Sequence, residues 1–426
     1  MILWLLLSSF LLILASGTAI GIALCMSSAL VFVTIMDIPL IVIPQRMFTA
    51  IDSFSFLTIP FFMMAGAFMS AGGVTKRLVD FSLSLVGALT GGLALVVSVA
   101  AMFFAALSGS TAATTAAIGS TMIDEMERRG YAKDFAAAVV ACSGIVGIVI
   151  PPSITMVVYG AVANASIADM FMGGFAPGII MGCSMMFVSW IISKKRGYTG
   201  TGTFAVKSVG KSFVECFWAL LMPVIILGGI YGGIFTPTEA AAVAAVYGIF
   251  VGLFIYKELK WSDFPSVMLS AALSTTMIMF VIGGASVFGW ILANARVPQA
   301  LAVMFTSIAD TPVMFLMLVN VLLLIIGCLV NASAAVVILT PIFLPILASM
   351  GIDPVFFGVL MIVNLSIGAI TPPVGVDLFV VSSITNLPID KVVRQVVPYL
   401  GILLIDLVLF TYFPVIIEFL PRFMNS

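Results

Sequence analysis

The sequence of 426 residues contains no histidine, and only 8% of its residues are charged. Without imidazole, the chain cannot form Ser–His or Cys–His nucleophile pairs or any histidine-ligated metal site. The 17 Lys and Arg residues are balanced by 18 Asp and Glu residues, so the basic surface that nucleic-acid binding requires is missing. The five cysteines lie in apolar segments without a CxxC spacing. We therefore interpret them as small buried side chains that form neither disulfides nor metal sites.

Apolar residues dominate the chain instead, since hydrophobic side chains make up 62% of it. Soluble domains contain about 45–50% apolar residues, and a much larger share cannot be hidden behind a polar surface. The composition therefore predicts an all-α polytopic membrane protein that lies almost entirely in the lipid bilayer. About ten stretches have the length and composition of a membrane span, namely 1–16, 17–36, 56–71, 135–165, 170–193, 215–234, 240–256, 268–293, 355–386 and 401–420.

Two further apolar stretches, 81–122 and 313–350, are each interrupted near the middle by small polar residues. The interruptions fall at 108–111 and 331–333, and the apolar run after each is short for a span. Both stretches are therefore predicted to be re-entrant helical hairpins, which enter and leave the bilayer on the same side. If the N-terminus lies outside, this topology leaves most Lys and Arg residues in inner loops, as the positive-inside rule requires.

The two halves of the sequence repeat the same features. Proline lacks an N–H and clashes with the preceding helical turn, so each double proline is predicted to break its helix. An odd number of crossings separates the halves, so the second copy is inverted, an arrangement typical of secondary transporters. One shift in numbering aligns Ser110 with Asn331, Ser143 with Asn364, Gly147 with Gly368, and Pro151-Pro152 with Pro372-Pro373.

The interrupted helices place neutral oxygen atoms at membrane depth, where freed backbone groups are tolerated only beside something polar. Hydroxyl, amide and carbonyl oxygens suit a hard monovalent cation, and discontinuous helices bind coupling Na⁺ in this way. The hairpin tips carry no carboxylate, which favours Na⁺ over a proton as the coupling ion. The predicted sodium ligands are Ser108, Gly109, Ser110, Ser143, Gly144, Gly147 and Pro151 in the first half, and Asn331, Ser333, Asn364, Gly368 and Thr371 in the second.

The hairpin tips also present helix N-termini, where the helix dipole places positive charge that favours an anionic substrate. Asp377 follows the second double proline by four residues, and an acid in apolar surroundings is a functional residue by default. No cofactor other than the coupling ion is expected. The predicted substrate-binding residues are Thr111, Pro152, Ser153, Pro373, Val374, Gly375 and Asp377.

Several short motifs resemble those of one family, the large membrane subunit of tripartite ATP-independent periplasmic (TRAP) transporters. The resemblance covers essentially the whole chain. It rests on SGSTAAT at 108–114, IPPS at 150–153, FTPTEA at 235–240, TPPVGV at 371–376, and on Gln45-Arg46-Met47 with Asp52-Ser53.

The resemblance implies a bacterial inner-membrane carrier, not an enzyme, that imports an organic acid with Na⁺ and has its N-terminus in the periplasm. It implies two protein partners, a small membrane subunit of four helices and a soluble periplasmic substrate-binding protein. Overall likeness favours the sialic acid branch, followed by C4-dicarboxylates and other sugar acids. Many family members carry Asn where Asp377 stands, and an anionic side chain beside an anionic substrate is unfavourable, so the resemblance favours either an indirect role for Asp377 behind the substrate contacts or a role toward a cation.

The resemblance also implies an elevator mechanism, similar to that of the ion transporter superfamily. The predicted scaffold consists of 1–71 and 215–293, and the mobile transport domain of 72–193 and 296–426. Residues 194–214 are predicted to link the repeats and to include an interfacial helix, and 387–397 is predicted to be another amphipathic helix in the interface. Two alternatives are an ion channel with re-entrant hairpins, and an intramembrane enzyme, for which GxSxG and HExxH motifs are missing.

Overall fold

The computed structural model describes residues 2–201, 204–308 and 311–424, which form helices and short connections without any β-strand. The prediction of an all-α protein is confirmed. The first ten helices are α1 Ile2–Ala15, α2 Ile20–Val31, α3 Val42–Ile51, α4 Thr58–Ala71, α5 Val74–Val86, α6 Gly92–Ser108, α7 Thr111–Arg128, α8 Lys133–Gly144, α9 Ile154–Ala163 and α10 Ile167–Arg196. The next ten are α11 Val206–Tyr231, α12 Pro237–Phe250, α13 Phe264–Asn294, α14 Val297–Ile308, α15 Pro312–Gly327, α16 Ala332–Met350, α17 Pro354–Gly368, α18 Val376–Thr385, α19 Ile389–Tyr412 and α20 Val415–Met424.

Seven helices in the described part of the chain are long and apolar enough to cross a membrane, and several shorter apolar helices accompany them. Large apolar side chains such as Leu12, Phe187 and Met277 are exposed on the outside of the protein. Exposed apolar surface on this scale is typical of a protein that contacts lipid. The prediction of a multi-pass membrane protein is confirmed.

The first hairpin begins later than predicted, because residue 81 lies inside α5. Its two arms are α6 and α7, which meet at Gly109, so the predicted stretch 81–122 is corrected to 92–128. The turn before α6 ends at Gly91, whose φ of +72° favours glycine and whose missing Cβ leaves room for Ser193. The sequence stays largely apolar through this turn, so the hydrophobic pattern did not indicate that one helix ends and another begins there.

The second hairpin lies at the predicted residues 313–350. Its arms are α15 and α16, which are joined by residues 328–331. Pro341 and Pro345 both lie inside α16 without ending it. Prolines are tolerated in membrane helices where neighbouring groups satisfy the freed carbonyls.

Both double prolines break a helix, as predicted. The first helix, α8, tightens into a 3-10 turn at Ile145–Ile148 and ends before Pro151, and α9 begins at Ile154. The second, α17, ends at Gly368, and α18 begins at Val376. The peptide bonds within Pro151-Pro152 and Pro372-Pro373 are both cis.

The prediction that two amphipathic segments form separate interfacial helices is wrong. The described residues of the link, 194–201 and 204–214, contain no separate interfacial helix, because α10 extends to Arg196 and α11 runs from Val206 directly into its span. The predicted amphipathic helix 387–397 likewise lies in the same helix as the span that follows it, α19. This helix ends before Pro414, so the predicted span 401–420 is divided between α19 and α20. A change in polarity along a helix does not by itself end the helix, because the backbone hydrogen bonds continue through it.

The hairpins pack against the broken helices of both halves. Helix α7 packs on α8 and α18, α16 packs on α9, and α15 packs on α17. The Tyr159 hydroxyl of α9 also donates a hydrogen bond to the Pro354 carbonyl oxygen, 2.7 Å away. Among the uninterrupted helices, α13 packs on α2, α3 and α4, and α12 packs on α4. The two groups meet where α13 packs on α16, and this contact borders the candidate site.

Candidate substrate and ion site

The tip of the first hairpin contacts the first helix break. The Ile154 N–H, at the start of α9, donates to the Gly109 carbonyl oxygen over 3.4 Å. Gly109 has a φ of +59°, and a Cβ there would lie 3.1 Å from the Pro152 carbonyl oxygen, so this position requires glycine. Ser110 begins the second arm, where its hydroxyl accepts a hydrogen bond from the Ala113 N–H.

Two predicted sodium-site glycines allow α8 to approach this hairpin closely. A Cβ at Gly147 would overlap the Ser110 carbonyl oxygen, and one at Gly144 would overlap the Thr115 hydroxyl. Backbone and hydroxyl oxygens of the hairpin therefore lie directly against the unwound end of α8. Thr115 was not predicted, because its partner glycine is distant in sequence and only the folded chain brings them together.

Most of the hydroxyl groups predicted as site residues in the first half of the chain already have a hydrogen-bonding partner within the protein. Ser108 and Thr114 share a hydrogen bond of 2.7 Å. Ser153 donates to the Ile148 carbonyl oxygen at 2.6 Å, inside the break. Ser143 points away from the break, toward Ser98 of α6, 2.9 Å away. Of the predicted hydroxyl ligands in this half, Ser143 is therefore the one that the fold directs elsewhere.

The second hairpin contacts the second break in a similar way. The Gly375 N–H donates to the Cys328 carbonyl oxygen at 3.2 Å. Asn331 begins α16, and its side-chain oxygen accepts from the Ser333 N–H at 3.0 Å. Thr371 donates to the Ile367 carbonyl oxygen at 2.8 Å. The backbones approach most closely between α15 and α17, where a Cβ at Gly368 would lie 2.6 Å from the Gly327 Cα.

A buried amide chain extends behind the second break. Asn364 donates to both the backbone and the side-chain oxygen of Asn320, each at 3.0 Å. Asn320 in turn donates to the Thr411 hydroxyl at 2.8 Å. The sequence analysis did not select Asn320, although a single asparagine inside an apolar helix is a recognisable signal.

The two tips and the two breaks surround one small cavity with a volume of about 70 Å³. Thr155 of α9 faces Ser333 of α16 across it, with 3.3 Å between their hydroxyl oxygens. Met63 of α4 and Ile278 of α13 complete the wall from the uninterrupted helices. The lining has no charged side chain and includes five predicted residues, Gly109, Ser110, Thr111, Asn331 and Ser333.

The other predicted residues do not line this cavity. The first double proline is buried, whereas Pro372 and Pro373 of the second are exposed, so the two breaks differ in accessibility. Thr155 was missed by the sequence analysis, although it is a polar residue soon after a double proline. The predicted residues outside the cavity lining are Ser108, Ser143, Gly144, Gly147, Pro151, Pro152, Ser153, Asn364, Gly368, Thr371, Pro373, Val374, Gly375 and Asp377.

Asp377 is completely buried in the first turn of α18, which packs against the first hairpin. Its N–H donates to the Ala369 carbonyl oxygen, but neither carboxyl oxygen has a hydrogen-bonding partner. The Thr111 side chain lies beside the carboxyl group without the geometry of a hydrogen bond. Two other buried oxygens, Thr115 Oγ1 and Asn364 Oδ1, also have no partner. Buried oxygens of this kind can serve as ligands of a hard cation.

This fold defines a class of protein. Two helical hairpins and two interrupted helices around one polar cavity, in a multi-pass all-α membrane protein, are typical of secondary transporters. A family model described as "Tripartite ATP-independent periplasmic transporter, DctM component" matches residues 7–416. The chain belongs to this family, and the resemblance to the large TRAP subunit is confirmed.

Curated relatives are named for different acids. The chain is 46% identical over 408 residues to the isethionate TRAP transporter permease protein of Oleidesulfovibrio alaskensis, covering 96% of this chain and 64% of that protein. It is 44% identical to the C4-dicarboxylate large permease protein of Pseudomonas aeruginosa, covering 89% of each. It is 40% identical to the sialic acid large permease protein of Vibrio cholerae, covering 89% of this chain and 88% of that protein. Likeness alone therefore does not single out the sialic acid branch.

One solved structure supports the fold. The YdaH transporter of Alcanivorax borkumensis matches with a TM-score of 0.58 and 16% identity, covering 83% of this chain and 84% of that one. At this identity the match concerns the fold alone.

Proposed function

We propose that this chain is the membrane permease of a transporter that imports an organic acid anion across the bacterial inner membrane, driven by a Na⁺ gradient. The observation that carries the proposal is the single cavity at which both hairpin tips and both helix breaks meet. The relatives are named for isethionate, C4-dicarboxylates, 2,3-diketo-L-gulonate and sialic acid, all of them organic acids. The N-terminus lies in the periplasm, in agreement with the positive-inside rule.

Two Na⁺ ions bind at equivalent places behind the cavity. The first site uses the 108–110 tip with backbone oxygens of 144–151, and the second uses Asn331 and Ser333 with backbone oxygens of 368–371. Asn364 contributes its unpartnered side-chain oxygen, and Asp377 supplies negative charge to a cation instead of contacting the substrate. The substrate contacts Thr111 directly in the cavity, and the 152–153 and 373–375 segments shape the breaks behind it.

The cavity contains no positively charged side chain to hold a carboxylate. Helices α7 and α16 both begin at its wall, at Ser110 and Asn331, and their free N–H groups and dipoles favour an anion. Bound Na⁺ adds further positive charge nearby. Substrate and Na⁺ therefore stabilise each other's binding, which is the physical basis of coupling.

Transport proceeds by an elevator movement. The mobile body comprises 72–193 and 296–426, and the scaffold comprises 1–71 and 215–293. The packing supports this division, because the hairpins and broken helices contact one another across the two halves of the chain. The chain works with a small four-helix membrane subunit, which anchors the scaffold, and a periplasmic binding protein, which delivers the substrate.

Reconstitution tests the proposed function. We expect proteoliposomes containing the chain and its small subunit to accumulate at least one of labelled isethionate, succinate, 2,3-diketo-L-gulonate and N-acetylneuraminate. Uptake should require both an inward Na⁺ gradient and the cognate binding protein, and should stop when K⁺ replaces Na⁺. Uptake without either requirement would contradict the proposal, and an ion current without organic acid would support a channel instead.

The sodium sites predict a specific kinetic effect. We expect Ser110→Ala and Asn331→Ala each to raise the Na⁺ concentration for half-maximal uptake about tenfold, equivalent to ~1.4 kcal/mol. Ser166→Ala is a matched control, because Ser166 caps α10 in the same way that Ser110 caps α7, at a position outside the cavity lining. Its loss costs about 1 kcal/mol of helix stability but should leave the Na⁺ dependence unchanged. Equal Na⁺ dependence in all three variants would refute the assignment.

A further inference from the structure

A second cavity lies beside the central one and contains a positively charged side chain. It has a volume of about 390 Å³ and lies between α3 and α13 on one side and α9 and α16 on the other. Its lining includes Arg46, Ser286, Trp290 and Val337. The amphipathic helix α3 presents Arg46 to this cavity.

The two cavities follow one another along the same pair of helices. On α13, Ile278 lines the central cavity and Ile282 lines the second. On α16, Ser333 lines the central cavity and Val337 the second. Four residues correspond to about one helical turn, or ~6 Å. The nearest walls of the two cavities are therefore about one turn apart, whereas Trp290, beside Arg46, lies ~18 Å beyond Ile278 along α13.

The Arg46 guanidinium has an aromatic neighbour but no counter-ion. It lies over the Trp290 ring, 4.2 Å from the centroid. Its Nε atom is buried and lacks a hydrogen-bonding partner. Within residues 2–201, 204–308 and 311–424, no carboxylate lies within ion-pair distance of it. A partly buried charge without a counter-ion is unfavourable, so the site is suited to a bound anion.

We propose that Arg46 forms an outer anion site, which binds the carboxylate or sulfonate of the transported acid before the acid enters the central cavity. The planar guanidinium can donate two parallel hydrogen bonds to either group. The rest of the lining is largely apolar, with Ser286 as an additional hydroxyl. One charged contact in a partly open cavity binds weakly, which lets the acid pass on to the Na⁺-containing site. This inference rests on the proposed import of an organic acid.

The electrostatic part of the proposal can be tested without transport. Ser286→Cys in a cysteine-free background places one thiol in the second cavity, in the complex with the small subunit in phosphatidylcholine vesicles. We expect an anionic sulfonate methanethiosulfonate to react faster, relative to its cationic trimethylammonium analogue, when Arg46 is present. Arg46→Gln should reduce this rate ratio about tenfold, because it removes the charge that attracts anions, whereas Arg46→Lys should largely retain it. Arg128→Gln, which removes an exposed arginine at the end of α7, outside both cavities, should leave the ratio unchanged.

Binding of the acid is tested by protection. We expect the acid that the wild type transports to slow labelling of Ser286→Cys with Arg46 present, and not in Arg46→Gln. Arg46→Gln should also raise the half-saturating concentration of acid-loaded binding protein about tenfold, with the maximal uptake rate within about twofold of wild type.

A rate ratio insensitive to Arg46→Gln would overturn the proposal. It would also be overturned if phosphatidylglycerol, and not the acid, gave protection, because the site would then hold a lipid headgroup. Loss of all wild-type uptake would count against the proposed function instead.

Discussion

Gly368→Ala is expected to abolish Na⁺-dependent uptake, reducing it about a hundredfold or more. The added methyl group would lie 2.6 Å from the Gly327 Cα and equally close to the rest of that backbone. A flexible side chain could turn aside, but a backbone packed between two helices cannot, so either the hairpin must move away from the break or the fold must loosen. Overpacking of this kind costs about 3 kcal/mol. Uptake in proteoliposomes and the unfolding temperature in detergent measure the two consequences.

Two further alanine variants give this prediction a graded control. A Cβ at Gly327 would lie 3.2 Å from the Gly368 Cα, a milder conflict, so Gly327→Ala should reduce uptake less than Gly368→Ala. Gly401 lies in α19, and no atom lies within 4 Å of the position that an added methyl group would occupy, so Gly401→Ala should transport like wild type. If Gly368→Ala transported within about twofold of Gly401→Ala, the close approach of α15 and α17 would not be needed for function.

Several features of the fold could be predicted because their causes are local. The absence of charge over long stretches predicts membrane helices, since charged groups are expensive in lipid. The double prolines break their helices because two adjacent residues cannot donate the required hydrogen bonds, whereas single prolines such as Pro341 are accommodated inside a helix. The interruptions at 108–111 and 331–333 coincide with the hairpin turns for a similar reason, since glycine and helix-capping residues are concentrated there.

Other features could not be predicted because they depend on packing between distant segments. The sequence does not indicate that Ser143 pairs with Ser98, or that Thr115 faces Gly144. Each pairing requires the relative rotation of two helices, which an apolar surface on all sides does not fix. The joining of an amphipathic segment to a span in α11 and α19 was missed because a change in polarity does not end a helix, and Pro398, at the boundary in α19, lies inside the helix without breaking it.

For Asp377, the functional importance could be predicted from the sequence, whereas its surroundings depend on the packing of distant segments. Its sequence position marked it as functional, because an acid inside an apolar segment is expensive to bury. The fold adds that its carboxyl group lies outside the lining of the central cavity, beside Thr111 at the beginning of the first hairpin's second arm. The two halves of the chain therefore meet at this carboxyl group. A cation bound there would hold α18 against α7, joining the second broken helix to the first hairpin.

Asp377→Asn is therefore expected to weaken the dependence of both folding stability and uptake on Na⁺. The amide has the same shape as the carboxyl group but no charge, so packing should survive while the attraction for a cation is lost. If the wild type binds Na⁺ as proposed, Na⁺ at ten times its dissociation constant should stabilise the fold by ~1.4 kcal/mol relative to K⁺. We expect Asp377→Asn to lose most of this difference, measured as the unfolding temperature in Na⁺ and in K⁺, and to need about tenfold more Na⁺ for half-maximal uptake. Asp406→Asn is the control, because this second buried acid accepts a hydrogen bond from Ser184 and should keep the Na⁺ response. An Asp377→Asn protein with wild-type Na⁺ dependence would show that the carboxyl group does not contribute to Na⁺ binding.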